Sequence, residues 1–242
     1  MQSNISTFIL YSKHEPERAA QVAELVAQLP NTKIIAPVFP KYEHVPFIEK
    51  LVNKSKERTG KALLQNEIGV ILSHRKAWRA IVQQKSDPTT HYLILESDSK
   101  IYNVEAINAI YPTIDKRFDL FFWGAWNGHV SLKRSTTSKH ESGYSIGEPL
   151  IKSLYGAYGY SLNQAAAKHL LKNTGHIKHP VDLYKHYVNP NAITIGAVKR
   201  ELIGTWLTTQ STIRPETLMD RTKRMARIKI FHCRNQIRAY FC

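Results

Sequence analysis

Apolar residues along the chain follow two periods, one near two residues and one near 3.6, and they take turns. Residues 5–11, Ile-Ser-Thr-Phe-Ile-Leu-Tyr, are β-prone and predict a first strand. Glu15-Pro16-Glu17-Arg18 follows, with proline and acids where a first helical turn favours them. Ala19, Val22, Ala23, Val26 and Leu29 then share one helical face, and Pro30 ends it. Ile34, Ile35 and Val38 predict a second strand, which makes a β-α-β opening of the kind that builds parallel sheets.

Residues 41–66 are polar and weakly patterned, as a surface excursion is. From Asn66 a helix is predicted, with Ile68, Ile71, Leu72, Trp78 and Ile81 near helical spacing and Asp87-Pro88 as its breaker. His91-Tyr92-Leu93-Ile94-Leu95 is an apolar strand running into Glu96-Ser97-Asp98-Ser99, and residues 119–124 read as another buried strand. Residues 131–143 are polar and suggest a mobile loop or lid. Tyr155 to Leu162 predicts a strand and Asn163 to Lys172 a helix stopped at Gly175. Pro180-Val181-Asp182 opens a further helix-like segment, with Asp182 as its candidate cap.

Composition narrows the class. Apolar content of 43% and charged content of 22% are those of a globular protein. No run approaches the ~18 apolar residues of a membrane-spanning helix, and the first apolar run is too short for a signal-peptide core. Cys233 and Cys242 lie too near the end to staple a fold, which fits a reducing compartment. The formal charge of +15 asks for an anionic partner. Residues 221–242 hold seven cations and no acid: Arg221, Lys223, Arg224, Arg227, Lys229, Arg234 and Arg238. Met225, Ile228, Ile230, Phe231, Ile237, Tyr240 and Phe241 interleave with them. A basic amphipathic segment suits an anionic membrane surface. The alternative is that Ile228, Ile230 and Phe231 dock on the rest of the chain. Nucleic acid is not an expected partner, since no RRM, KH or zinc-finger spacing is present.

Glu96 and Asp98 carry the sharpest chemical signal. Two carboxylates, two residues apart at the carboxyl end of a buried strand, lie where open α/β sheets bind ligands. Such acids hold Mg²⁺ or Mn²⁺ against the phosphates of a nucleotide-activated donor. Alone, an E-x-D triplet is most often a solvated loop.

Its surroundings add order. Asn66-Glu67-Ile68-Gly69, Ser73-His74, Trp78 and Leu93-Ile94-Leu95-Glu96-Ser97-Asp98 together resemble glycosyltransferase family 25, the lipopolysaccharide and lipooligosaccharide sugar transferases and their collagen-modifying relatives. Arg18 is similar to the family's early arginine. Gly159-Tyr160-Ser161 with Ala166 and Leu170-Leu171 looks like a further family segment, as does Pro180-Val181-Asp182. Two positions depart from the pattern: Ser97 stands where the family has an acid, and Leu10-Tyr11 where it has Asn-Leu.

The resemblance implies an α/β fold of the glycosyltransferase-A type, with a mostly parallel central sheet flanked by helices. It implies an inverting, metal-dependent transferase moving a hexose, galactose from UDP-galactose in the first instance, onto a lipooligosaccharide acceptor. Another UDP-sugar, or a non-catalytic membrane- or nucleic-acid-binding protein, is the alternative. Arg18, Glu67, Ser73, His74 and Glu96 are the implied donor-binding residues, and Glu96 with Asp98 the metal ligands. Asp182 is the candidate base, with Glu201 a weaker one and His179 a possible third ligand. Ser73 and His74 also read as a helix's polar face, Trp78 as core, and Tyr155, Tyr158 and Tyr160 as packing or an acceptor groove. The expected organisation is a catalytic domain over 1–220 and a membrane-associating segment over 221–242, peripheral on the inner face of the cytoplasmic membrane.

Overall fold

The structure, a computed structural model, describes residues 5–125, 130–206 and 218–242, the side chains of 218–228 excepted. Its first elements are β1 (Thr7–Leu10), α1 (Ala19–Gln28), β2 (Thr32–Ile35), α2 (Ile48–Thr59), α3 (Gln65–Val82), β3 (Tyr92–Glu96), β4 (Ser99–Ile101) and α4 (Val104–Ile114). Then come β5 (Leu120–Phe122), β6 (Ser138–Lys139), β7 (Ser145–Gly147), β8 (Gly159–Leu162), α5 (Gln164–Asn173), β9 (Ile195–Lys199), β10 (Ile203–Thr205) and α6 (Leu218–Tyr240).

Eight strands form one sheet in the order β2-β1-β3-β8-β5-β9-β7-β6, and β4 pairs with β10 in a separate ribbon. Because side chains alternate along a strand, each strand feeds two cores. Phe8, Leu10, Tyr92, Ile94, Leu120 and Phe122 face α3 and α5, meeting Ile68, Ile71, Trp78, Ala166 and Leu170. Ile9, Leu93, Leu95, Phe121 and Trp123 face the other way, onto Val22 and Leu25 of α1 and Ile107 and Ile110 of α4. The result is a three-layer sandwich, and each fully buried large side chain stabilises it by roughly 2 kcal/mol. Asn103 and Asn163 cap α4 and α5, each accepting from the backbone N–H three residues on, at 2.9 and 3.0 Å.

The α/β class and the flanking helices are as expected. The sheet, however, is mixed. β1 runs parallel to β2 and β3, and β5 to β9, but β8 is antiparallel to both its neighbours and β7 to both of its own.

Four local expectations change. Residues 48–59 are helical, not excursion; Ile48, Leu51 and Val52 are only half-buried against the core, so α2 has a narrow apolar face. Residues 131–143 hold a helical turn at Arg134–Thr136 and the edge strand β6, paired with β7. On α1 the buried residues are Val22 and Leu25, with Leu29 beyond its end, while Ala23 and Val26 face solvent. After Pro180 there is a turn and a single helical turn at Tyr184–His186, whose cap position is Leu183 and not Asp182.

The C-terminal helix α6 lies against the domain. Asn235 and Ala239 are buried, Gln236 donates to the Val130 carbonyl at 3.4 Å, and Phe231 meets Tyr155 edge-on at 6.0 Å. Ile230, a docking residue in the alternative reading, is 58% exposed. The side chains of Arg221, Lys223, Arg224, Met225, Arg227 and Ile228 lie outside the described residues. Among the described residues no helix is long and apolar enough to cross a membrane.

Candidate active site

Strand β3 lies between β1 and β8, and this fixes where Glu96 emerges. Asp98 follows in the turn that leads to β4, and the Trp206 N–H donates to the Asp98 carbonyl at 3.1 Å. The carboxylates are thus held by a strand on one side and a ribbon on the other. Asp98 Oδ1 is buried with no hydrogen-bond partner, while Oδ2 lies 3.5 Å from the Arg18 guanidinium. Burial, reinforced by Glu96 and opposed by Arg18, pushes the Asp98 carboxyl up to about 6. A group in that state gains from a further positive charge.

Arg18 comes from the β1–α1 connection and is itself buried. Its Nη1 donates to Ser97 Oγ at 2.8 Å, and its Nε lies 3.4 Å from Glu15. Ser97, at the position where the family pattern has an acid, therefore takes up an arginine N–H and leaves the guanidinium to be shared by Asp98 and Glu15. Glu15 was not among the expected site residues. It is buried, its carboxyl is raised by burial against the pull of Arg18, and Glu96 lies within electrostatic reach. The only sequence signal for it was an acid three residues before the arginine.

On the other side of Glu96 stands His74, fully buried on α3. Its Nε2 lies 3.1 Å from Glu96 Oε1 and its Nδ1 lies 2.8 Å from the Tyr160 hydroxyl. Trp78 Nε1 donates to that same hydroxyl at 2.8 Å. The Glu96 carboxylate can only accept, so a neutral His74 presents Nε2–H to it and leaves Nδ1 to accept the Tyr160 O–H, whose oxygen accepts from Trp78. Tyr160 and Trp78 are thus core residues that hold a site histidine in place.

The remaining expected residues are placed as follows. Glu67 accepts from the Leu64 N–H at 2.9 Å and closes the first turn of α3. Ser73 accepts from Val38 N–H at 2.8 Å and donates to the Gly69 carbonyl at 2.7 Å, so it pins the segment after β2 to α3. Gly69 is what lets that segment approach: a Cβ there would lie 2.6 Å from Pro40 Cδ. Asp182 is half-buried beside Tyr184, a phenol pushed up by burial and further by Tyr160, Glu96 and Asp182. Glu96 and Asp182 thus act on one buried ring. Glu201 accepts from the Tyr158 hydroxyl at 3.3 Å, and Tyr158 also feels Glu96. His179 stacks on His186 at 3.6 Å.

Do these groups suit a divalent cation? Among the described residues no cluster of three or more His, Cys, Asp or Glu is present. Mg²⁺ and Mn²⁺ sites that share a nucleotide's phosphates need only one or two carboxylates, the rest being phosphate oxygens and water. Glu96 and Asp98, with the unpartnered Oδ1, meet that requirement.

The acids at the carboxyl end of β3, with the buried Arg18 beside them, lie where open α/β sheets bind ligands. The chain belongs to glycosyltransferase family 25 (LPS biosynthesis protein), whose sequence profile matches residues 6–184. It is a sugar-transferring enzyme of the hexosyltransferase type, in a family of glycolipid biosynthesis, with a nucleotide-sugar donor and a lipid-linked acceptor. No individual curated protein matches the chain. The family match takes in Arg18, Glu67, Ser73, His74, Glu96, Asp98 and Asp182, and stops short of Glu201 and α6.

Proposed function

We propose that the chain transfers a hexose, galactose from UDP-galactose, to a lipooligosaccharide acceptor with inversion at the anomeric carbon. The observation that carries this reading is the pair Glu96 and Asp98 at the strand end, with Asp98 Oδ1 buried and unpartnered. Both residues would hold Mn²⁺ or Mg²⁺. Bound there, the cation supplies positive charge to the diphosphate leaving group.

The chain's own residues do the rest. Arg18 holds the Ser97-Asp98 turn and adds a fixed positive charge on the donor side. His74, oriented by Tyr160, keeps Glu96 in one rotamer. Glu67 and Ser73 serve the donor by fixing the start of α3 and the segment after β2. The acceptor hydroxyl attacks the anomeric carbon as the bond to the diphosphate oxygen breaks, and Asp182 takes the hydroxyl proton. The enzyme works at the inner face of the cytoplasmic membrane, where α6 brings it to its lipid-linked acceptor.

The test is turnover with a panel of UDP- and GDP-hexoses plus Mn²⁺ on lipooligosaccharide lacking its terminal sugar. UDP-galactose is expected to be consumed fastest, with a β-linked product. Preference for UDP-glucose or a UDP-N-acetylhexosamine would replace the sugar and keep the class; turnover of none would end the reading.

A further inference from the structure

At about 100° per residue, positions 230 and 237 fall on the side of α6 opposite the buried Asn235 and Ala239, and Phe241 follows just beyond the last helical residue, Tyr240. Ile230, Ile237 and Phe241 are 58%, 61% and 83% exposed. Lys229 borders this apolar stripe on one side, Arg234 and Arg238 on the other, and all three are exposed. An apolar stripe flanked by cations is the form of a helix that lies in a membrane interface.

The domain beneath continues the pattern. Arg134 holds its guanidinium 4.5 Å from the Tyr240 ring, and Lys185 lies 5.9 Å from the ring of Tyr155, which packs on Phe231. Both cations are exposed. Lys133 nearby is paired with Glu148 and does not count. From Arg221 to Cys242 the chain has no acid. The buried positions of α6 are an asparagine and an alanine, and Phe231 reaches Tyr155 only edge-on, so Ile230 and Ile237 are left on the outside.

We infer that the outer face of α6, with Arg134 and Lys185 at its rim, is one docking surface for an anionic lipid bilayer. The helix then acts as a fixed foot and not a loose tether: contact with lipid sets the orientation of the whole sheet. This rests on the membrane reading above and deepens it. The charge selects the occupant. A second copy of a chain with net charge +15 would bring cations against cations, whereas anionic headgroups meet them.

The test is co-sedimentation of the full chain with phosphatidylcholine vesicles, with and without phosphatidylglycerol. Wild type should bind only the anionic vesicles and release in salt. Ile237→Asp with Phe241→Asp should weaken partitioning at least tenfold. Arg134→Ala with Lys185→Ala should weaken it by about fivefold per cation removed, since each contributes ~1 kcal/mol near such a surface. Circular dichroism checks that the variants fold. If the tail pair matters and the Arg134/Lys185 pair does not, the composite face is overturned while attachment through the tail stands. Equal binding to neutral vesicles overturns both. A concentration-dependent dimer abolished by Ile237→Asp, with no vesicle binding, assigns the face to self-association and overturns the proposal. Turnover on a soluble acceptor, measured alongside, tests sugar transfer independently.

Discussion

Glu96 and α6 are positioned by opposite means. Glu96 ends a strand hydrogen-bonded on both edges, and its neighbour His74 is locked by Tyr160 and Trp78 inside the larger core. The described part of α6 touches the domain through Asn235, Ala239, a Gln236 hydrogen bond and one aromatic edge. One region is specified by dense packing around a few polar groups, the other by a thin polar seam that leaves its apolar residues outside. Chemistry needs fixed geometry, and packing supplies it; contact with a fluid surface needs exposed area and charge. The family match covers the ends of β1 and β3 and stops at residue 184, before β9, β10 and α6.

Substitutions separate the two regions, the largest effect first. Asp98→Ala should lower turnover by ~10³-fold or more, because cation-assisted leaving-group stabilisation is worth several kcal/mol. Steady-state assays with added Mn²⁺ check this, and wild-type turnover in chelator-treated buffer would dismiss the donor-site assignment.

Acid should undermine the strand side. His91 precedes β3, is buried, and places Nε2 2.7 Å from the Phe118 carbonyl. Burial lowers its imidazole from 6.5 to about 4. The unfolded chain takes up a proton near 6.5 that the folded one refuses until about pH 4, so the unfolded state binds more protons between them. The His91 contribution to stability is therefore whole above pH 6.5 and is lost as the pH falls toward 4, by roughly 3 kcal/mol, while the raised Asp98 carboxyl works the other way below about pH 6. Urea titrations at pH 7 and pH 4.5 on wild type and His91→Gln isolate that contribution: wild type should lose more stability between the two pH values than the variant does.

Asp182→Asn should cut turnover by ~10²-fold with donor affinity nearly unchanged. The same loss from Glu201→Gln and none from Asp182→Asn would move the base to the β9–β10 connection. Tyr160→Phe leaves Trp78 Nε1 and His74 Nδ1 without their partner and should cost about 1–3 kcal/mol in denaturant unfolding. By contrast, Ile237→Asp should leave unfolding of the domain unchanged within ~0.5 kcal/mol, as an exposed site does.

Much of the strand side was legible in the sequence because its signals are local. The run from Tyr92 to Asp98 is a buried strand followed at once by acids, and Asn163 sits where a helix cap belongs. Glu15 was hidden because its importance depends on Arg18 reaching Ser97 and Asp98, partners far along the chain. Gly69 is required by the close approach of the segment at Pro40, a contact no periodicity encodes. The reversal of β8 was equally invisible, since a strand pattern has no direction. On α6 the alternative of docking through Ile230 and Phe231 divides: Ile230 is exposed and Phe231 meets Tyr155 edge-on, while the buried positions are an asparagine and an alanine that no apolar pattern marks. Polar α2 and the short edge strand β6 were missed because each buries too little apolar surface to leave a pattern.

The central claim is that Glu96 and Asp98 form the metal-dependent donor site. Calorimetric titration of UDP-galactose into the wild-type chain and Asp98→Ala, each with and without Mn²⁺, tests it most directly. Mn²⁺-dependent binding is expected for wild type and loss of that dependence in Asp98→Ala, with the fold intact by circular dichroism. Mn²⁺-dependent binding of equal strength in both proteins would contradict it.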